Sequence, residues 1–254
     1  MRKMGLFAGR TLKELVRDPL SYIFCLGFPV VMLAIMTFVN ESIPPESGVN
    51  IFRIDKLSAG IAFFGLMFTM LFTALQVSKD KDGSFLVRLY ASPMRAGDFI
   101  GGYFFSMLVI AVAQLLICAV CSYMISLITG VELSLGRLLL AAVVLIPSAA
   151  LLIGFGMFFG SIFSDKAAPG LCSVLISLGS MLGGVFMDVE GIGGVLFDIS
   201  RVLPFYHCVK TARCVITGDY ADFLPSMLVL LAYCAVMGFA AVFAFGRRMK
   251  ADLN

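Results

Sequence analysis

Six long stretches of this 254-residue chain carry no ionisable side chain, and they constrain the fold more than any motif does. Residues 20–39, 59–78, 99–131, 138–164, 167–187 and 223–246 contain no Asp, Glu, Lys, Arg or His. About 20 apolar residues suffice for a helix to cross the hydrocarbon core of a bilayer. The expectation is therefore an all-α membrane protein with six transmembrane helices. The same stretches argue against an ion-driven pump, which hides ionisable groups at membrane depth as ligands for its coupling ion. Hydrophobic residues make up 60 % of the chain, well above soluble usage. Short loops use up the remainder, leaving no room for a soluble catalytic domain.

The flanks set the expected orientation. Five basic residues precede the first stretch, four lie in 79–98, Lys166 sits in the link at 165–166, and Arg247, Arg248 and Lys250 form the tail. The alternate loops hold only Arg53, Lys56, Arg137, Arg201, Lys210 and Arg213. By the positive-inside rule the richer side is cytoplasmic, with both termini there. The first apolar run starts late and no cleavage-site pattern follows it, so it reads as a retained anchor. A net charge of +3 fits contact with anionic lipid and a partner, not nucleic-acid binding.

Residues 8–18 read as an amphipathic surface helix within an interfacial segment 1–19. Arg10, Lys13, Glu14, Arg17 and Asp18 fall on one side, and Ala8, Leu12, Leu15 and Val16 on the other. Leu6 and Phe7 break this pattern, so the helix is expected to start after them. Asp18-Pro19 ends it. Pro29 predicts a kink in the first span. The third stretch exceeds one perpendicular helix and predicts a tilt or an interfacial turn at Gly101-Gly102. Gly156…Gly160 and Gly179…Gly183 are small-xxx-small spacings that let helices approach closely.

Loop 79–98 is the most distinctive segment. After Gly83-Ser84, the residues Phe85, Leu86, Leu89 and Tyr90 recur at helical spacing until Ser92-Pro93 stops them. Such a stripe predicts a short helix pressed against a membrane or a soluble partner. Segment 188–222 carries two apolar patches, 195–199 and 202–209, with Arg201, Lys210 and Arg213 between and after them. Neither patch is long enough to span, which predicts half-inserted, re-entrant helices before the last span. Of seven cysteines, five lie inside the stretches. Cys208 and Cys214, six apart, would not face each other for a disulfide. With a single histidine, His207, no metal-type spacing exists. The chain also lacks a GxxxxGK[ST] phosphate loop, a GxSxG and an HExxH.

The run Ser84-Phe85-Leu86-Val87-Arg88-Leu89-Tyr90-Ala91-Ser92-Pro93-Met94 resembles the cytoplasmic coupling segment of ABC-2 type permeases, which have the type V exporter fold. Leu203-Pro204-Phe205-Tyr206-His207, followed by Arg213 and Gly218-Asp219-Tyr220, is similar to that family's segment before the last span. The resemblance covers essentially the whole chain as one transmembrane domain, 1–254. It implies the permease subunit of an ATP-driven exporter, paired with a second copy or a paralogue and docked on two separate ABC ATPase subunits. ATP and magnesium would belong to those partners, with no cofactor on this chain. The implied place is a bacterial cell (inner) membrane.

On this resemblance, Arg10, Lys13, Arg17, Asp82, Phe85, Leu86, Arg88, Leu89, Tyr90, Ser92 and Pro93 receive the ATPase movement. The family's early coupling-segment Glu is missing, with Asp80 and Asp82 nearest to it. Pro204, Phe205, His207 and Arg213 mark the external re-entrant segment. The cargo path would draw on Phe28, Met32, Phe68, Phe72, Ser173, Ser177 and Met181. Abundant Phe and Met suit an amphiphilic or hydrophobic cargo such as a drug, an antibiotic peptide or a lipid. The rival reading is a secondary transporter or channel working without ATP, which would need ion sites at depth and inverted repeats. A membrane enzyme would have only His207, Asp198 and Asp219 to use.

Overall fold

The computed structural model describes residues 2–44, 51–83 and 96–252. They form helices α1 (Arg2–Arg17), α2 (Pro19–Ser42), α3 (Ile54–Asp82), α4 (Ala96–Thr129), α5 (Leu135–Val144), α6 (Ile146–Ile162), α7 (Ala168–Leu182), α8 (Val189–Ile192), α9 (Gly194–Val202), α10 (Pro204–Thr217) and α11 (Phe223–Asp252). No strand occurs among the described residues. Five apolar helical segments are long enough to cross a membrane: α2, α3, α4, the α5–α6 pair and α11. The stretch expected to give a further span contains the 15-residue α7. At 1.5 Å per residue α7 covers about 22 Å, short of the ~30 Å hydrocarbon thickness.

The spans are ordered around α3, which is buried along nearly its whole length, while α2 and α11 expose most of theirs. Lipid supplies no hydrophobic drive between helices, so close packing must hold them together. Glycine permits it. A Cβ at Gly156 would strike the Met70 carbonyl and Thr73, and one at Gly160 would strike the Ala74 carbonyl and Val77. The first small-residue spacing thus seats α6 on α3. The second seats α7 against Met67 and Phe205 through Gly179, and against Phe205 through Gly183. Both are used within the chain. Gly65 meets Gln114 and Pro29, so α2, α3 and α4 cross at one point.

Proline places the irregularities. Pro29 cannot donate to the carbonyl four residues back. The chain responds with a π-helical turn, Ile23–Gly27, just ahead of it. Pro147 similarly separates α5 from α6 at Leu145. The interfacial turn expected at Gly101-Gly102 is absent. α4 runs unbroken for 34 residues, and these glycines sit inside it where Met4 and Phe7 press against them.

That contact corrects two expectations for α1. The helix begins at Arg2, before Leu6 and Phe7. Its buried face is Phe7, Thr11 and Leu15 at four-residue spacing, whereas Val16 is 62 % exposed. Phe7 is the anchor, edge-on to Phe99 at 5.3 Å and Tyr103 at 5.0 Å. Hydropathy alone misplaced this face, because a protein surface rather than a flat apolar one receives it. Asp18 ends α1 and caps α2, accepting from the Leu20 amide and from the Ser21 hydroxyl.

Candidate coupling site and transport face

One end of the bundle gathers α1 with the ends of α3, α4, α6 and α11 that lie nearest the chain termini in space; it is called here the terminal end. Asp80, in the last turn of α3, is buried there and centres a polar knot. The Tyr103 hydroxyl donates to Asp80 Oδ2 at 2.7 Å, and Gln76 Nε2 donates to the same oxygen at 3.3 Å. Gln76 also donates to Glu14 on α1 at 3.1 Å. Arg10 pairs with Glu14 at 2.5 Å and stands 3.8 Å from Asp80. Ser106 on α4 reaches the Ala8 carbonyl at 2.8 Å. Charge-assisted bonds thus tie α1 to α3, and a hydroxyl–carbonyl bond ties it to α4.

The next residues of α3 continue the pattern. Lys81 Nζ donates to the Phe163 carbonyl at 2.5 Å and the Gly160 carbonyl at 3.3 Å, where an ammonium complements a helix C-terminus. Asp82 accepts from the Asp165 amide at 2.9 Å. Of the proposed coupling residues, the structure therefore puts Arg10 in the knot and Asp82 on the α6–α7 link. Lys13 and Arg17 stand exposed on α1, beside a shallow groove that Gly5 and Gly9 leave open. Phe85, Leu86, Arg88, Leu89, Tyr90, Ser92 and Pro93 lie outside the described residues. The knot itself was not read from the sequence. Its signal is Gln76 and Asp80 at i, i+4 in the last turns of a span.

Along the α2–α3 seam, Phe28, Phe68 and Phe72 join a ladder of rings. Phe24 lies 5.8 Å from Phe68 and 6.4 Å from Phe72, and Phe28 lies 5.3 Å from Phe68. Phe64 extends the ladder to Phe186 at 5.2 Å. Met32 packs half-buried beside this core. Ser173, Ser177 and Met181 are exposed on α7, where both hydroxyls bond to carbonyls of their own helix. Midway along the spans the polar group at α4 is an amide: Gln114 donates to the Ala62 carbonyl at 3.1 Å.

At the opposite, distal end, α10 carries the residues singled out before the last span. Pro204 opens it. Phe205 is buried between Phe63 and Phe155. His207 Nε2 lies 2.8 Å from the Arg201 carbonyl. Burial, with the nearby Arg201 charge, holds the His207 pKa below its ordinary value, although the carbonyl bond opposes this. Arg213 staples three segments, donating from Nη2 to the Gly184 carbonyl at 2.6 Å and from Nε to the Lys56 carbonyl at 3.3 Å. Burial lowers its pKa despite nearby Glu190 and Asp188.

Lys210 bridges Glu190 at 2.7 Å and Asp222 at 3.2 Å, and Tyr206 donates to Glu190 at 2.6 Å. Burial would raise the Glu190 pKa, but the bonds from Lys210 and Tyr206 outweigh it and hold the carboxyl low. Burial would depress the Lys210 ammonium, and the same carboxylate raises it instead. Cys208 and Cys214 are both buried, free thiols on this helix.

The sequence profile of the family described as ABC-2 type transporter matches residues 3–216, which run from α1 nearly to the end of α10. No curated protein matches the chain. The match takes in most of the chain, including the terminal knot, the ring ladder and most of the segment before the last span. The chain therefore belongs to the ABC-2 type transporter family, and is a multi-pass membrane permease subunit of an ABC transporter that is not itself the catalyst.

Proposed function

We propose that the chain is the membrane half of an ATP-driven exporter, moving an amphiphilic or hydrophobic cargo out of a bacterial cell. Two such permeases, identical or paralogous, form the path, and two separate ATPase subunits bind ATP and magnesium. The terminal end faces the cytoplasm, and α7 with the segment after it completes a sixth crossing within one domain, 1–254.

The observation that carries this reading is the terminal knot. Any push on the outer face of α1, at Lys13 or Arg17, passes through Arg10, Glu14 and Gln76 to Asp80 in α3. Only Gly83 separates α3 from 84–95, the segment proposed to dock in a groove of the ATPase through Phe85, Leu86, Arg88, Leu89, Tyr90, Ser92 and Pro93. Both contacts with the motor would thus act on the helix around which the others pack. The ring ladder of Phe28, Phe68 and Phe72, with Met32, offers apolar surface to a cargo, and Ser173, Ser177 and Met181 would face it from α7.

Purification from its native membrane should bring down a P-loop ATPase. Replacing Arg88 or Leu89 by Asp should abolish nucleotide-dependent transport while leaving insertion intact. Transport by the purified chain alone, driven by an imposed proton or sodium gradient, would overturn the reading.

A further inference from the structure

The distal end has more charge than its ion pairs consume. A cleft of about 160 Å³ opens there, with α10 as its floor. Lys210 and Arg213 face it one turn apart. Lys56 at the start of α3 forms one wall, Asp188 and Glu190 another, and Asp219 and Asp222 close the α11 side. Lys210 satisfies Glu190 and Asp222.

Four charges remain over. Among the described residues neither Lys56 nor Arg213 has a carboxylate at ion-pair distance. Arg213 is largely buried, yet two of its nitrogens bond only to carbonyls. Glu190 and Asp188 act on this guanidinium only from beyond ion-pair distance, which leaves the buried charge undercompensated. Asp188 and Asp219 each spend one oxygen capping a nearby amide, and neither has a cation at ion-pair distance among the described residues, although Asp188 lies near Arg213. A single cleft that leaves both signs unmatched suits a ligand carrying both signs. A phosphate is the anion that a guanidinium and an ammonium hold well.

The surroundings indicate where such a ligand comes from. α8, which adjoins the cleft through Glu190, exposes Ile192 at 59 %, and α9 directly after it in the chain exposes Val195 at 75 % and Val202 at 68 %. Exposed apolar surface that follows the cleft wall along the chain suits the acyl chains of a lipid.

We propose that the distal cleft binds the headgroup of a zwitterionic phospholipid, with its phosphate against Lys56 and Arg213 and its ammonium against Asp219. The site is independent of which cargo the transporter carries.

Native mass spectrometry of the full chain, purified in detergent and titrated with defined lipids, tests this. Phosphatidylethanolamine should be retained about tenfold better than phosphatidylglycerol, which offers the phosphate without the amine. Lys56→Ala should weaken retention of both lipids, and Asp219→Asn should close the gap between them. Both residues lie at the rim, so circular dichroism should show unchanged helix content. Arg213→Gln is unsuitable alone, because Arg213 also holds the Gly184 and Lys56 carbonyls. Equal retention of the two lipids by the wild type would overturn the proposal, as would unchanged retention in both rim variants. Soluble phosphoethanolamine binding as tightly as the lipid would overturn the lipid source and leave a free phospho-amine as the ligand.

Discussion

The terminal and distal ends of the bundle hold similar side chains in opposite arrangements. At the terminal end one buried carboxylate, Asp80, collects partners from α3 itself, α4 and α1. At the distal end Lys210 joins α10 to α8 and the α11 link, but the charges border an open cleft. The centre is a buried acceptor in one case and a half-buried donor in the other. A closed knot resists separation of its helices and can pass displacement from one to the next. An open cleft with unmatched charges gives up that stiffness and leaves room for a ligand. Polar residues at a span's end can thus serve as joint or as receptor, and geometry distinguishes them where composition does not.

The strongest way to break the comparison is Asp80→Ala. It strips Tyr103 and Gln76 of a shared buried acceptor, costing about 3 kcal/mol. Hydrogen exchange should rise along Arg2–Arg17 and stay unchanged in α10; a matching rise in α10 would mean that the two ends are not separate units. Gly156→Val tests the scaffold common to both ends. The added methyl groups meet the Met70 carbonyl and Thr73, and overpacking of this kind costs about 1–3 kcal/mol. Thermal unfolding in detergent should then soften both ends together.

Lys210→Ala should cost less, roughly 1 kcal/mol, because Glu190 is nearly half exposed and water screens the pair. Its effect should be confined to exchange in α8 and the start of α11. A pH titration sharpens the same point. The Glu190 carboxyl is depressed below its ordinary 4.5, so the unfolded chain takes up the proton first. Its contribution is complete above pH 4.5 and disappears as pH falls through the depressed value. Glu190→Gln should remove that acid dependence from the melting curve. The smallest effect belongs to Arg53→Ala, whose pair with Asp55 is solvent-exposed on the arginine side, with a change within about 0.5 kcal/mol.

The helices were legible because membrane burial leaves a one-dimensional trace: runs without charge. α3, α4 and α11 sit on such runs and extend beyond them into charged turns such as 79–82, where lysine and aspartate still find partners. The break point at Pro29 was legible because proline causes it, whereas the one at Pro147 was not drawn from the sequence. The face of α1 was not legible. Its register depends on Met4 fitting over Gly101 and Phe7 over Gly102, matches between residues nearly a hundred positions apart. Nor was the short α7, since the charge-free run 167–187 continues through Gly183 and Gly184 after the helix has ended. Gly184 adopts φ 74°, which favours glycine and turns the chain toward α8. Of the candidate site, the aromatic stripe of Phe28, Phe68 and Phe72 could be listed but not assembled, because helical spacing does not say which helix lies opposite. Asp80 was visible only as an acidic residue near a motif. Its meaning comes from Tyr103 and Glu14, which no local pattern connects to it.

The wide turn at Ile23–Gly27 sets the phase between α1 and the rest of α2. Phe24 lies within it and touches Phe68 and Phe72, so the inserted residue is what aims this ring at its neighbours. If the turn tightened to ordinary α geometry, everything on one side would swivel by about 100° relative to the other. With α1 pinned by Asp80 and Phe7, the swivel would fall on the upper part of α2 and sweep Phe28 off the ring column. A single slipped residue could in this way open or shut the seam without any helix having to unfold.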